Sequence, residues 1–403
     1  MKQHFTRMAI LLAFGFLYAC SSPNHLQQAE QHKQNQRYQS ALESVQRGLN
    51  QQPDNPQALL TKARILENLV MIYPAGDRAQ YYQQMAEALN RASEIGTENG
   101  RNDLIEESSS LRNKNFQREY ESAANFMAGY QNQQPGNLLL PARPHLENAL
   151  ILEPENDNVI QSLVQVYSLN GYYDEAISLL LDSESGGWKP EERAETLGFL
   201  FYRNGDYDNA AIYLSDAWLN GRGSVNAGRG IANTYNKLGD SVSEREILEQ
   251  LVEIEPENIY HHVALSKTLS NEVLAGVRVL IEASDTRYAS EYIAELTDMS
   301  NEAEAAFERA FQINENHILT NLTAGLYFRN FGFLLNEAGQ LYPNSVRAEI
   351  VEDYLYKSLN YLERASELDP DQPLVWNAIW KVYEFLGMAE QADYARERVT
   401  ELQ

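Results

Sequence analysis

Apolar residues recur at helical spacing along most of the chain. In residues 157–170 they occupy positions i, i+3, i+4 and i+7, formed by Ile160, Leu163, Val164 and Tyr167. This is the stripe of an amphipathic helix that buries one face. A second, shorter helix is predicted over residues 174–182, with Ala176, Ile177 and Leu180 facing inward. The pattern therefore predicts a pair of helices joined by a short turn.

The turn between the two helices is repeated along the chain. The segment "NGYYDEA" begins at Asn170 and "NGDYDNA" begins at Asn204, and their glycines, with Gly239 in "KLGDSVSE", are spaced 34 residues apart (171, 205, 239). Glycine readily adopts the left-handed conformation that ends a helix. We expect Asp174 to cap the helix that follows, through its side-chain oxygen. A fixed period of this kind indicates an array of similar units.

The repeating unit resembles the tetratricopeptide repeat (TPR), a helix-turn-helix unit of 34 residues with apolar, small and aromatic residues at fixed places. The matches lie in three successive units and in the last one, at Leu163, Tyr167, Gly171, Tyr173, Ala176; Leu197, Gly198, Phe201, Gly205, Tyr207, Ala210, Ala217; Ile231, Ala232, Tyr235, Gly239, Pro256; and Trp376, Ile379, Tyr383, Gly387, Ala392. Tyr38, Ala41 and Pro53 match in the same phase near the start. The resemblance implies an all-α, TPR-type solenoid over 25–403, with the clearest repeats at 157–258 and 359–403 and divergent repeats at 56–156 and 317–358.

The N-terminal segment has the features of a secretory signal. Cationic Lys2 and Arg7 precede an apolar run from Met8 to Phe16, which is shorter than the roughly 20 residues that span a bilayer. The sequence Leu17-Tyr18-Ala19-Cys20 resembles the lipobox of bacterial lipoproteins. We therefore predict a lipoprotein signal peptide at 1–19, lipidation of Cys20, and a short lipid tether at 20–24.

Cys20 is the only cysteine of the 403 residues, so an exported chain could not use it for an internal disulfide. Two fatty chains and N-acylation would hold the protein on a membrane, whereas a single chain binds marginally. The resemblance to bacterial lipoproteins implies, from Ser21 after the cysteine, the outer membrane of a Gram-negative cell. The expected location is lipid-anchored and facing the periplasm.

Charge excludes one class of partner. The formal net charge is −25, and because Lys2 and Arg7 lie in the signal segment the remaining chain carries −27 (−25 minus 2). Nucleic-acid binding relies on cations that neutralise phosphates, so no nucleic acid is expected as a partner.

No catalytic or metal-binding motif stands out. The chain has no HExxH motif and no glycine-rich phosphate loop after a strand. Adjacent His261 and His262 would point about 100° apart on a helix and could not share a metal as an i, i+4 pair does. We expect no catalytic residues, no metal and no cofactor. Of the 24 tyrosines, those at repeat positions are assigned to the core, while Tyr81, Tyr82, Tyr202 and Tyr213 remain candidates for surface stacking.

The resemblance also implies a class of function. Solenoids of this kind present an extended concave face built from the first helix of each unit, which binds peptides and proteins. We expect a scaffold or adaptor that binds protein or peptide partners in the bacterial cell envelope. The alternative is an outer-membrane nutrient-binding lipoprotein that takes up glycans. An enzyme would need a site hidden in residues 317–359.

By resemblance, the lining positions of the face in three consecutive units are Phe199, Tyr202, Arg203, Arg229, Asn233, Asn236, Lys237 and Lys267. Arg229 and Asn233, four residues apart, resemble half of the two-residue clamp with which some relatives hold a C-terminal carboxylate, with arginine where lysine is usual. An acidic or C-terminal peptide segment is one expected occupant. The other interpretation is that these are ordinary solvated side chains that balance Glu192, Glu195 and Glu246.

Overall fold

The computed structural model describes residues 24–132, 139–183, 187–220, 224–283 and 287–402. Within these ranges the chain forms eighteen α-helices and no strand, which confirms the all-α prediction. The helices are α1 (His25–Gln34), α2 (Tyr38–Gln51), α3 (Pro56–Val70), α4 (Ala79–Glu98), α5 (Asn102–Asn132), α6 (Ala142–Leu152), α7 (Asp157–Leu169), α8 (Tyr173–Asp182), α9 (Pro190–Asn204), α10 (Tyr207–Asn220), α11 (Val225–Leu238), α12 (Ser241–Ile254), α13 (Ile259–Glu282), α14 (Ala289–Ile313), α15 (Ile318–Leu341), α16 (Ala348–Leu368), α17 (Pro373–Phe385) and α18 (Ala389–Glu401).

The chain divides into two compact units, Met1–Lys189 and Pro190–Gln403. The first holds α1–α8 and the second holds α9–α18. The predicted signal peptide at 1–19 and the lipidation site Cys20 lie outside the described residues. Among the helices that are described, none combines the length and the apolar character that a membrane crossing requires.

The turns of the clear repeats share one backbone geometry. Gly171, Gly205, Gly239 and Gly387 have φ values of 79°, 83°, 75° and 73°. In each case the N–H that follows the glycine donates to the carbonyl five residues before it, at 2.9 to 3.0 Å. This is the Schellman arrangement, which satisfies a carbonyl at the helix end and reverses the chain. The left-handed glycine predicted from the sequence is confirmed.

The predicted cap at Asp174 is wrong. Helix α8 begins at Tyr173, and its N-cap residue is Tyr172, which makes no side-chain capping hydrogen bond. Asp174 lies in the first turn instead, where a negative charge is favoured by the helix dipole. In the next unit the capping residue is Asp206, directly after the glycine, whose Oδ1 accepts from Asn209 N at 3.1 Å. The residue after the glycine is therefore the capping position of the repeat.

Helices within each unit pack mainly on their neighbours in the chain, as expected for a TPR-type helix-turn-helix solenoid. Small residues permit this close packing: Ala176 and Ala210 are fully buried. A Cβ added to Gly198 of α9 would lie 2.5 Å from Leu214 Cγ of α10. The two helices of this repeat are thus in contact at a position where only hydrogen fits.

The divergent ranges use longer helices. Helices α4 and α5 have 20 and 31 residues, and α15 and α16 have 24 and 21. The "YPAGD" interruption forms a short 3-10 turn at Ala75–Asp77. In the second unit the long helices enclose an aromatic core whose fully buried members are Phe307, Phe328 and Phe331. The division of the chain into repeat ranges stays a prediction.

The close contact at Gly198 predicts whether replacement of this glycine by alanine raises or lowers the stability of the protein. Alanine is the better helix former by about 1 kcal/mol, so Gly198→Ala would stabilise an unconstrained helix. Because the added methyl meets Leu214, we expect it to destabilise the protein by about 1–3 kcal/mol. Thermal unfolding followed by circular dichroism measures the effect.

Gly129 of α5 is the matched control, since a Cβ there meets nothing within 4 Å. Gly129→Ala should leave the thermal midpoint unchanged or raise it. A Gly198→Ala protein that is as stable as the wild type would contradict the close packing of α9 on α10.

Candidate functional site

The groove residues predicted from the sequence lie on three helices of the second unit. Helix α9 carries Phe199, Tyr202 and Arg203. Helix α11 carries Arg229, Asn233, Asn236 and Lys237, and helix α13 carries Lys267. Six side chains are exposed and two are half-buried, the exposed ones being Arg203, Arg229, Asn233, Asn236, Lys237 and Lys267. The exposed members of this set are therefore all polar, and its two aromatic members both lie on α9.

The two aromatic residues take part in packing between helices. A Cβ on Gly230 of α11 would lie 2.9 Å from the ring of Phe199, so that ring rests against the backbone of the next first helix. Tyr202 contacts Tyr207 of α10 edge to face, with ring centroids 5.5 Å apart. Both rings border the buried core of this repeat. Each contributes only its outer part to a surface.

Arg229 is engaged by an acid and a histidine. Its Nη2 donates to Glu255 Oε2 at 2.8 Å and its Nε donates to His261 Nε2 at 3.0 Å. Glu255 ends α12 and also accepts from Asn258 at 2.8 Å. The hydrogen bond from Asn258 is the main reason that the pKa of Glu255 lies below its ordinary value, and the charge of Arg229 acts in the same direction. Arg229 thus ties α11 to the end of α12 and the start of α13.

The environment of His261 favours its neutral form. The side chain is buried, and burial is the main reason that its pKa lies below 6.5. Its Nδ1 lies 3.2 Å from the Leu251 carbonyl oxygen, so Nδ1 carries the proton and donates. Nε2 is then free to accept from Arg229. A protonated ring could not accept this bond and would face the guanidinium charge.

A second acid lies at the other end of α11. Both oxygens of Glu244 accept from Asn236 Nδ2 at 3.1 Å. Burial raises the pKa of Glu244, while Asn236, Thr268 and the charge of Lys267 act in the opposite direction. Glu244 stands where the repeat resemblance has a small alanine, and the amide of Asn236 satisfies its carboxylate there. The groove residues Asn236 and Lys267 therefore already have an acidic neighbour.

Two acids beside the groove are additional to Glu192, Glu195 and Glu246, which the sequence suggests. Glu255 pairs with Arg229, and Glu244 lies with Asn236 and Lys267, whereas Glu195 accepts from Ser224 at 2.7 Å. The two missed acids and His261 are joined to the groove by packing of separate helices, and a single sequence offers no spacing rule for such pairs. The groove can donate hydrogen bonds to carboxylates, and its described residues form no arrangement of nucleophile and base.

The remaining chemical candidates have structural roles. His262 is buried with Nε2 2.8 Å from the Pro256 carbonyl oxygen, so the two histidines do not share a ligand. Within the described ranges no group of three or more potential ligands could hold a metal ion. Two of the tyrosines expected at the surface are buried, Tyr81 and Tyr82, because α4 is covered by helices on several sides. Tyr213 stacks on Phe201 with centroids 5.3 Å apart.

Comparison with known proteins gives similarities of fold only. No protein-family model and no curated protein matches the chain. Among solved structures, MamA is 15% identical over 51% of this chain and 94% of its own, with a TM-score of 0.38. TTC0263, a thermophilic TPR protein of Thermus thermophilus, is 21% identical over 53% and 91%, with a TM-score of 0.33. YrrB, described as a TPR protein with an unusual peptide-binding site, is 14% identical over 58% and 96%, with a TM-score of 0.37. The fold class rests on the repeat geometry of the chain itself.

The neutral His261 predicts a pH effect on stability. The pKa of His261 is lower in the folded state than in the unfolded chain. Its contribution to the stability of the fold is therefore fully present above about pH 6.5. It is lost as the pH falls below that value, since only the unfolded chain then takes up the proton. We expect the thermal midpoint of the wild type to fall more steeply between about pH 7 and pH 5 than that of His261→Gln.

His32→Gln serves as the control for removal of a histidine elsewhere in the chain. It should retain the wild-type dependence on pH. Equal slopes for wild type and His261→Gln would show that this histidine is not held neutral.

Proposed function

We propose that this protein is a lipid-anchored scaffold or adaptor of the bacterial cell envelope, which binds a protein or peptide partner and performs no catalysis. The observation that carries the proposal is the row of exposed polar side chains on α9, α11 and α13. Successive repeats place these side chains on neighbouring helices, and such rows on TPR-type solenoids bind extended segments. Side-chain donors spaced along the row suit a peptide better than a small molecule.

Charge favours an acidic or C-terminal segment as the occupant. Arg203, Lys237 and Lys267 are exposed cations on a chain whose formal net charge is −25. Charge-assisted hydrogen bonds to carboxylates are stronger than neutral ones. Arg229 is already paired with Glu255, and its side chain remains 43% exposed. A partner carboxylate would join or replace Glu255 on that guanidinium.

Anchoring is proposed from the lipobox-like sequence before Cys20 and from the absence of a second cysteine in the sequence. The signal peptide at 1–19 would be removed, and the lipids would be attached at Cys20. Ser21 favours sorting to the outer membrane, with the repeats on the periplasmic side. Helix α1 begins at His25, so the repeats would start close to the membrane.

The lipid anchor is tested at the N-terminus of the mature protein. We expect mass spectrometry of membrane-derived protein to show a mature chain that begins at a lipid-modified Cys20, because the thiol is the acceptor of the diacylglycerol. Cys20→Ser should remain an unprocessed precursor. Ser22→Ala, two residues away, should be processed normally, and a free thiol or an intact Met1 on the wild type would rule the anchor out.

The binding surface is tested by placing a photoreactive amino acid at Asn233, which is exposed in the middle of the groove. In living cells it should form a discrete adduct with an envelope protein. Lys237→Ala with Lys267→Ala should reduce the adduct by about tenfold or more, because two charge-assisted contacts are lost. Arg229 is left intact, since its removal would also leave Glu255 unpaired.

The control variant removes the same charge from the same unit at exposed positions outside the groove, Arg278→Ala with Lys381→Ala. It should capture the partner as the wild type does. Equal loss in both variants would indicate general electrostatics and not a groove. If no protein is captured and the pure protein binds an oligosaccharide, the nutrient-binding alternative replaces the scaffold.

A further inference from the structure

A pocket of about 500 Å³ lies at the C-terminal end of the second unit, between α16, α17 and α18. We name it the C-terminal pocket. Its walls combine three aromatic and three acidic side chains, Trp376, Tyr383, Tyr394, Glu363, Glu367 and Glu390. Among the described residues that line it, none is a lysine, an arginine or a histidine. None of these residues belongs to the groove on α9, α11 and α13.

The aromatic walls are held in place by hydrogen bonds. The indole of Trp376 donates from Nε1 to the Pro370 carbonyl oxygen at 2.7 Å, and the hydroxyl of Tyr383 donates to Glu363. Tyr394 meets Trp376 edge to face, with ring centroids 5.7 Å apart and an angle of 85° between the planes. Tyr394 itself is 57% exposed. Two rings at nearly a right angle therefore form a preformed corner that opens to solvent.

The carboxylates make the same corner electronegative. Glu363 accepts from Tyr383, Glu367 is paired with Arg364 outside the pocket at 2.5 Å, and exposed Glu390 lies in the first turn of α18. A cation at this corner would be attracted by the negative charge of the carboxylates and also by the negative face of the aromatic ring. A neutral ligand could donate hydrogen bonds to these carboxylates but would gain no attraction between opposite charges.

The chain itself shows that this indole accepts a guanidinium. Arg398, which does not line the pocket, places its guanidinium carbon 5.6 Å from the centroid of the Trp376 ring. A planar guanidinium stacks on aromatic rings and bonds carboxylates in pairs, whereas an ammonium group acts as a point charge. Among organic cations, arginine fits both the rings and the acids.

We propose that the C-terminal pocket receives an arginine side chain of a protein segment, with its guanidinium against Trp376 and Tyr394 and its N–H groups directed to Glu363 and Glu390. The site goes beyond the proposed groove and does not depend on it. The two surfaces also differ in the sign of their charge, because the groove presents cations and the pocket presents carboxylates. A partner that engages both would carry an acidic and a basic segment.

The test uses the full chain labelled with ¹⁵N-tryptophan and the blocked pentapeptide Gly-Gly-Arg-Gly-Gly as the probe. The indole N–H signal of Trp376, assigned with Trp376→Phe, should shift saturably at about 0.15 M ionic strength, where exposed charges are screened. The same peptide with citrulline in place of arginine keeps the shape and loses the charge. It should bind about tenfold more weakly or worse.

Tyr394→Ala and Glu390→Gln should each weaken binding of the arginine peptide by about threefold to tenfold. The matched controls are Tyr356→Ala and Glu397→Gln, on α16 and α18, which change exposed residues outside the pocket. They should bind as the wild type does. Because Tyr394 and Glu390 are exposed, we expect the variants to keep the wild-type circular dichroism spectrum.

Several results would overturn the assignment. Equal binding of the arginine and citrulline peptides would show that charge is not recognised, and equal weakening in the control variants would show general attraction to an acidic surface. Tighter binding of choline than of the peptide would assign the pocket to a small quaternary ammonium. A saturable shift with maltohexaose would assign it to a neutral glycan. Loss of the Asn233 adduct in the groove would leave this result unaffected, so the two proposals fail separately.

Discussion

The architecture of the clear repeats depends on a backbone constraint, the left-handed residue that ends the first helix of each of these units. A Cβ added at Gly171, Gly205 or Gly239 would meet open space. Glycine is therefore favoured at these positions by the positive φ and not by lack of room, because other L-residues adopt this conformation at a cost of roughly 1 kcal/mol. Gln36 takes the same conformation, with φ at 58°, at the end of α1, and Arg37 N donates to His32 O at 2.9 Å. The turn is thus kept even where the glycine is not.

Once the chain is reversed in this way, the second helix must lie along the first, and the distance between them is set by small side chains. Gly198 and Gly230 differ from the turn glycines, because a Cβ on either would collide with a neighbouring side chain. The first helices of adjacent repeats are brought together by Phe199 against Gly230. The exposed residues that the sequence predicts to bind a partner lie on α9, α11 and α13, so the packing of these helices sets their positions.

Local features of the fold could be predicted from the sequence, and contacts between distant residues could not. The ends of α7 and α8 lie within one residue of the predicted ends, because the turn between the two helices is encoded locally. The cap predicted at Asp174 is misplaced because Tyr172 occupies the capping position that Asp206 and Asp240 fill in the next units. The pairing of Arg229 with Glu255 joins residues on separate helices, and the burial of Tyr82 depends on helices that cover α4. Nothing in the local pattern encodes these contacts.

Two acids at the groove also limit what it can bind. Glu255 and Glu244 already occupy part of the hydrogen-bonding capacity of Arg229 and Asn236, so the carboxylates of the proposed partner would have to compete with them. Hydrogen exchange of the full chain, free and bound to the envelope protein captured at Asn233, tests the central claim most directly. Binding at the groove predicts slower exchange in α9, α11 and α13 with little change in α14–α16. Protection confined to other helices, with α9, α11 and α13 exchanging as in the free protein, would contradict it.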